Sequence, residues 1–138
     1  MRRNDERGHG TMTADESKAL VERFLAAWAR RDIDVLVDFF ADDAIYHNVP
    51  VAPIRGVGGI RQIFTAFLET FDEVSLDIVN VVAEPELVFA ERVDRFAIGE
   101  RRFELPVNGV FEIRDGKIAR FSDYFDLTTF ERSSGLRL

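Results

Sequence analysis

Apolar residues recur along this chain with two different periods, and the change from one to the other falls near residue 74. Before it the spacing is helical. Leu20, Val21, Phe24, Leu25 and Trp28 share one stripe of a 3.6-residue repeat, which predicts an amphipathic helix of about four turns. Thr13 followed by Glu16 has the form of a capping box at its start. Asp32 through Phe40 predicts a second, short helix with Leu36, Phe39 and Phe40 inward. Ala44 to Val49 reads as a strand halted by Pro50 and Pro53. The loop Val51 to Gly59, with one Pro and three Gly, reads as a surface turn or pocket rim. Ile60, Ile63, Phe64, Phe67, Leu68 and Phe71 mark a third helix.

From Val74 the repeat is two residues. Strands are predicted at about 74–83, 86–97, 101–113 and 117–125, broken at Pro85, at Gly99 and at the hairpin dipeptide Asp115-Gly116. A terminal helix from Leu127 to Ser133 follows, with Asp126 as its cap. Helices first and antiparallel strands afterwards is the α+β pattern. A strongly curved, mostly antiparallel mixed sheet folded over three N-terminal helices makes a cone with a pocket between them.

Three stretches place polar groups where a strand should be apolar: Tyr46-His47-Asn48, Glu91-Arg92-Val93-Asp94 and Asp123-Tyr124-Phe125-Asp126. Strand side chains alternate faces, so Tyr46 and Asn48 share a face, as do Arg92 and Asp94. Asp123 falls in the otherwise apolar row Ala119, Phe121, Phe125. A carboxylate in apolar surroundings is costly unless it is paired, so such a placement points to a pair or to chemistry. If these strands are neighbours, two Asp, one Arg, one Tyr and one Asn meet in a greasy cavity suited to acid–base work. The bland reading of Arg92 and Asp94 is a surface ion pair, a kind that is common and weak. Tyr46 reads equally as a core aromatic, and Asn48 as a turn residue ahead of Pro50. Phe64, Phe67 and Phe71 are first of all helix core. Phe64 and Phe67, with Phe121 and Phe125, are also candidate walls of the pocket.

Bulk properties narrow the classes. With 138 residues the chain fits one domain, over 13–138, behind a disordered tail at 1–12. That tail, MRRNDERGHGTM, has no apolar run behind its charges, so it reads as neither signal peptide nor membrane span, and the cytoplasm is the default location. A net charge of −7 disfavours nucleic acid and anionic membrane as partners. The absence of cysteine excludes disulfides, thiol nucleophiles and thiolate zinc sites, while His9 and His47 give no metal-ligand spacing. No cofactor or metal is expected.

The element order resembles the nuclear transport factor 2-like, or SnoaL-like, superfamily with its cystatin-like cone. Phe24-Leu25-Ala26-Ala27-Trp28 to Asp32, and Phe39-Phe40-Ala41-Asp42-Asp43-Ala44, carry that likeness. The three polar stretches sharpen it: over residues 13–133 the chain resembles the limonene-1,2-epoxide hydrolase family. The resemblance implies a one-step, cofactor-free hydrolysis of an apolar epoxide by water. It implies Asp123 as general base, Asp94 as general acid, Arg92 as the bridge between them, and Tyr46 and Asn48 as holders of the water. It also implies a homodimer, which would cover Phe89, Val93 and Val110 on the outer face of the sheet. The family often carries Gln at position 47 and Trp-Arg at 121–122, where this chain has His47, Phe121 and Ser122. His47 points away from the site, so Phe121 is the change that bears on the pocket and hence on the substrate. Two other functions stay open at this stage: a ketosteroid isomerase- or polyketide cyclase-like enzyme, and a non-catalytic module holding a small lipid.

Overall fold

A computed structural model of the chain describes residues 12–138. The expected tail therefore lies outside the described residues except for Met12, whose side chain packs against the core. The first helix, α1 (Ala14–Ala27), starts on the capping box. The Thr13 hydroxyl accepts from the Glu16 amide at 3.1 Å, and the Glu16 carboxylate accepts from the Thr13 amide at 2.8 Å. A 3₁₀ turn, Trp28–Arg30, leads into α2 (Ile33–Asp38), whose first amides donate to the Asp32 carboxylate.

Here the structure departs from the sequence expectation. Phe40 does not end a helix; it begins strand β1 (Phe40–Asn48), because it pairs with Ile118 across the sheet. The loop after it contains a two-residue strand, β2 (Ile54–Arg55), paired with Ile45 and Tyr46. Then come α3 (Val57–Thr70), β3 (Glu73–Glu84), β4 (Leu87–Ile98), β5 (Arg101–Arg114), β6 (Lys117–Tyr124) and α4 (Leu127–Ser134). The β5–β6 turn is the expected one, with Asp115 and Gly116 both at positive φ (53° and 76°) as a two-residue hairpin requires. Asp126 caps α4 by accepting the Thr129 amide at 2.8 Å.

The six strands form one mixed sheet in the order β2-β1-β6-β5-β4-β3, with β1 and β6 parallel and the other pairs antiparallel. Helices cover its inner face. Phe24 of α1 sits at the centre of that interface, meeting Phe39, Phe40 and Phe121 edge-on at 5.2–5.5 Å. This is the α+β cone expected. No helix among the described residues is long and apolar enough to cross a membrane.

Register across the inner face sets up everything that follows. One row runs Ala90–Gly109–Asp123–Asn48 through β4, β5, β6 and β1. The row on one side of it is wholly apolar but for a phenol: Val88–Phe111–Phe121–Tyr46. On the other side Arg92 faces Val107, and beyond it Asp94 lies between Leu76 and Leu105.

Candidate active site

Arg92 is the largest side chain the fold buries completely. Burial alone would loosen its hold on the proton, but the charges of Asp123 and Asp94 more than offset this, so the net shift is upward. Its guanidinium makes four hydrogen bonds. Nε and Nη2 donate to Asp94 at 2.9 and 2.8 Å, and Nη1 and Nη2 donate to Asp123 at 2.8 and 2.9 Å. Each carboxylate is thus gripped by two parallel bonds, the arrangement that fixes direction as well as distance. The bland reading of a surface ion pair is overturned, because the Asp94 and Asp123 side chains are only 7% and 9% exposed. On its other side the guanidinium lies 5.7 Å from the centre of the Phe121 ring, within the range of a cation–π contact.

Asp94 is pushed up to about 6 by burial, against the pull of Arg92; the neighbouring charge of Asp123 pushes the same way as burial. Tyr46 is pushed well above its usual value by burial and by Asp123, so it stays a neutral phenol. Its hydroxyl donates to Asn48 Oδ1 at 2.9 Å. That bond fixes the amide: Oδ1 is occupied, and the two Nδ2 protons remain free to donate. The phenol oxygen keeps its lone pairs as acceptors. Asn48 is held beside Asp123 by the parallel β1–β6 register, continued by the Val49 amide donating to the Asp123 carbonyl at 2.9 Å.

All five polar residues singled out in the sequence line one cavity. Phe67, Phe121 and Phe125 line it as expected, but Phe64 does not. The Phe64 ring is wholly buried in the helix–sheet core, against Trp28, Phe40 and Tyr46 at 4.8–5.6 Å. It lies one turn of α3 before Phe67, at the interface with the strands. His47 is on the outer sheet face, its Nε2 2.8 Å from the Val51 carbonyl. Leu76, Leu105, Phe71 and Phe130 also stand on the wall, with Leu138 beside them. Nothing in the sequence separates a cavity wall from solid core. The cleft is about 570 Å³ when open solvent at its mouth is counted, and about 60 Å³ in its water-accessible depth. The depth alone holds a handful of waters.

A paired acid and base, an oriented amide and a dry wall on one cavity are the parts needed to add water to an uncharged, apolar molecule. Comparison with known proteins places the chain. The family model for the limonene-1,2-epoxide hydrolase catalytic domain matches residues 15–134, so the chain belongs to the limonene-1,2-epoxide hydrolase family. Among relatives, the epoxide hydrolase EphG of Mycobacterium tuberculosis is 35% identical over 109 residues, covering 78% of this chain and 71% of that protein. A solved structure of an LEH-like epoxide hydrolase from M. tuberculosis superposes with a TM-score of 0.78 at 31% identity, covering 87% of this chain and 90% of the other. A provisionally assigned polyketide cyclase from Xanthomonas campestris pv. campestris reaches a TM-score of 0.79 at 23% identity, covering 88% and 98%. That last likeness is one of fold alone.

Proposed function

We propose that this protein is an epoxide hydrolase, converting an apolar terpenoid, sterol or lipid epoxide to a vicinal diol in one step, without a cofactor. One observation carries the reading: a single buried arginine grips two carboxylates inside an apolar cavity, with an oriented amide beside one of them.

Epoxide opening at neutral pH wants a proton on the departing oxygen while a deprotonating water attacks carbon. Two carboxyls around one arginine favour holding a single proton between them, since ionising both in a dry site is unfavourable. The raised Asp94 is the one that keeps it. A water in front of Asp123 gives one proton to that carboxylate and the other to the Tyr46 oxygen as a hydrogen bond, and accepts from Asn48 Nδ2. One lone pair is left to attack. As the carbon–oxygen bond to water forms, the ring carbon–oxygen bond breaks and the leaving alkoxide takes the Asp94 proton. Asp123 ends protonated and Asp94 ionised, and transfer of one proton back to Asp94 resets the pair. One epoxide and one water give one diol, with no net gain or loss of protons.

An isomerase acting on a ketone needs an acid that stays protonated beside a developing enolate. The phenol that would donate to the same enolate is engaged elsewhere, since the Tyr46 hydroxyl donates to Asn48 Oδ1. A lipid-holding module has no use for three buried charged groups, which weaken apolar binding. The test is a panel of epoxides of graded size, with chiral analysis of the diols formed. Turnover of at least one supports the reading; α-proton exchange on a ketone with no epoxide turnover favours the isomerase instead.

We propose also that the outer sheet face closes against a second copy. Val82 and Phe89 are 70% and 45% exposed there, with Val93 and Val110 beside them on the same face. An apolar strip of this kind calls for cover.

A further inference from the structure

We propose that Gly109 is a positioning residue for this site: its missing side chain opens the path by which Arg92 reaches Asp123. The proposal rests on the hydrolase reading above for its kinetic arm only. Arg92 is rooted on β4 opposite Val107, whereas Asp123 lies on β6 in the next row, opposite Gly109. The guanidinium must therefore cross β5 diagonally, and the residue it crosses is Gly109.

The backbone does not require glycine there. Gly109 is not one of the positive-φ glycines, which are Gly56, Gly99, Gly116 and Gly135. Glycine inside a strand is intrinsically unfavourable, through lost entropy and lost packing. Its presence is explained by what a side chain would strike. A Cβ at 109 would lie 2.5 Å from Arg92 Nη1, 2.9 Å from Asp123 Oδ1 and 3.2 Å from Phe111 Cε1. Arg92 cannot swing aside freely, because four buried hydrogen bonds hold it. Phe111 is stacked on Phe121 at 4.4 Å and has equally little room.

The clash falls on one arm of the guanidinium only. Nη1 serves Asp123 Oδ1 alone, while the fork onto Asp94 uses Nε and Nη2, and Nη2 also reaches Asp123 Oδ2. A methyl group at 109 therefore pushes Nη1 off the base and leaves the arginine on the acid. The base is left with the single bond from Nη2 and loses the second bond that fixes its direction, while the apolar walls are untouched.

The experiment is Gly109→Ala, read in two ways. A crystal structure of the variant is expected to keep the Arg92–Asp94 fork and to part Nη1 from Asp123 Oδ1 beyond hydrogen-bonding distance. Finding both forks intact overturns the proposal, whether or not any epoxide is turned over. On an epoxide the parent hydrolyses, kcat is expected to fall about 10²-fold, the scale of a 1 Å misplacement, with KM within about threefold. A loss shared equally by KM assigns the effect to general disruption and overturns the proposal. The double variant Gly109→Ala, Phe111→Leu gives room on the ring side alone. Recovery of activity in it shows that packing against Phe111, not the path of Arg92, is what the glycine serves. A parent enzyme inactive on every epoxide sinks the hydrolase reading and leaves the crystallographic arm to decide the role of Gly109.

Discussion

Asn48 and Asp123 stand opposite each other in the parallel β1–β6 pair, with the Asn48 amide oxygen engaged by Tyr46 and its nitrogen left to donate. A parallel pair brings residues from distant parts of the chain into fixed register, so the amide and the carboxylate share one small volume whose geometry neither can alter alone. On the proposed reading that volume is where the attacking water sits. Replacing Asn48 by Ala, or Tyr46 by Phe, is expected to lower kcat about 10- to 100-fold, the scale of lost orientation in a reacting pair. The Tyr46 change acts by freeing the amide to turn. Steady-state kinetics on a common substrate checks this, and wild-type kcat in both variants contradicts it.

Asp94→Asn and Asp123→Asn remove the proposed acid and the proposed base without changing size. Each is expected to lower kcat by about 10²–10⁴-fold, with the circular dichroism spectrum unchanged. If both variants keep parental rates, neither carboxylate moves a proton in the reaction.

The pH dependence follows from the direction of the Asp94 shift. A carboxyl pushed up to about 6 is half protonated there, and its protonated fraction falls roughly tenfold per unit above. The alkaline limb of kcat/KM is therefore expected to begin near pH 6 and to be carried by Asp94. A rate that climbs steadily from pH 6 to 9 is incompatible with Asp94 as the acid.

The same shift has a stability consequence of definite sign. The folded protein holds the Asp94 proton more tightly than the unfolded chain does, from the ordinary 3.8 up to about 6. Its contribution to stability is fully present below about pH 4 and is lost as pH rises through 6. Urea titrations are expected to show the advantage of the parent over Asp94→Asn shrinking across that window. A difference independent of pH means that Asp94 titrates alike in both states.

Arg92→Met leaves two carboxylates buried beside an apolar chain, which is expected to destabilise the fold by about 3–5 kcal/mol. Arg102→Ala, at a pair with Glu73 where both side chains are more than 60% exposed, is expected to leave the unfolding midpoint where it was. Equal midpoints for the two variants would show that the buried fork stabilises no more than a surface pair. Separately, Phe89→Asp is expected to turn a dimer into a monomer by light scattering; a monomeric parent removes the basis for the proposed sheet-to-sheet contact.

Features governed by neighbours in sequence could be read from the chain, and features governed by distant partners could not. The Thr13–Glu16 box, the Asp126 cap and the Asp115-Gly116 turn depend on residues at most three apart, and each formed as expected. Phe40 and Ile54–Arg55 are strands only because Ile118 and the Ile45–Tyr46 segment lie beside them. The five polar residues of the site could be found because the two-residue repeat puts them on an inner face that is otherwise apolar. Phe64 was misassigned as wall because helical spacing gives a stripe but not which end of the stripe meets the cavity. Gly109 had no signal at all, since its reason is the diagonal path of Arg92 across β5, which exists only once the register is set.

The central claim is that the new oxygen comes straight from a trapped water. Single-turnover hydrolysis in ¹⁸O-labelled water, with enzyme in excess over an epoxide it opens, measures this directly. Direct attack by water places one solvent-derived ¹⁸O in every diol formed on the first turnover. Unlabelled diol on that turnover, with the label appearing later, would mean that a carboxylate of the protein had attacked the ring itself.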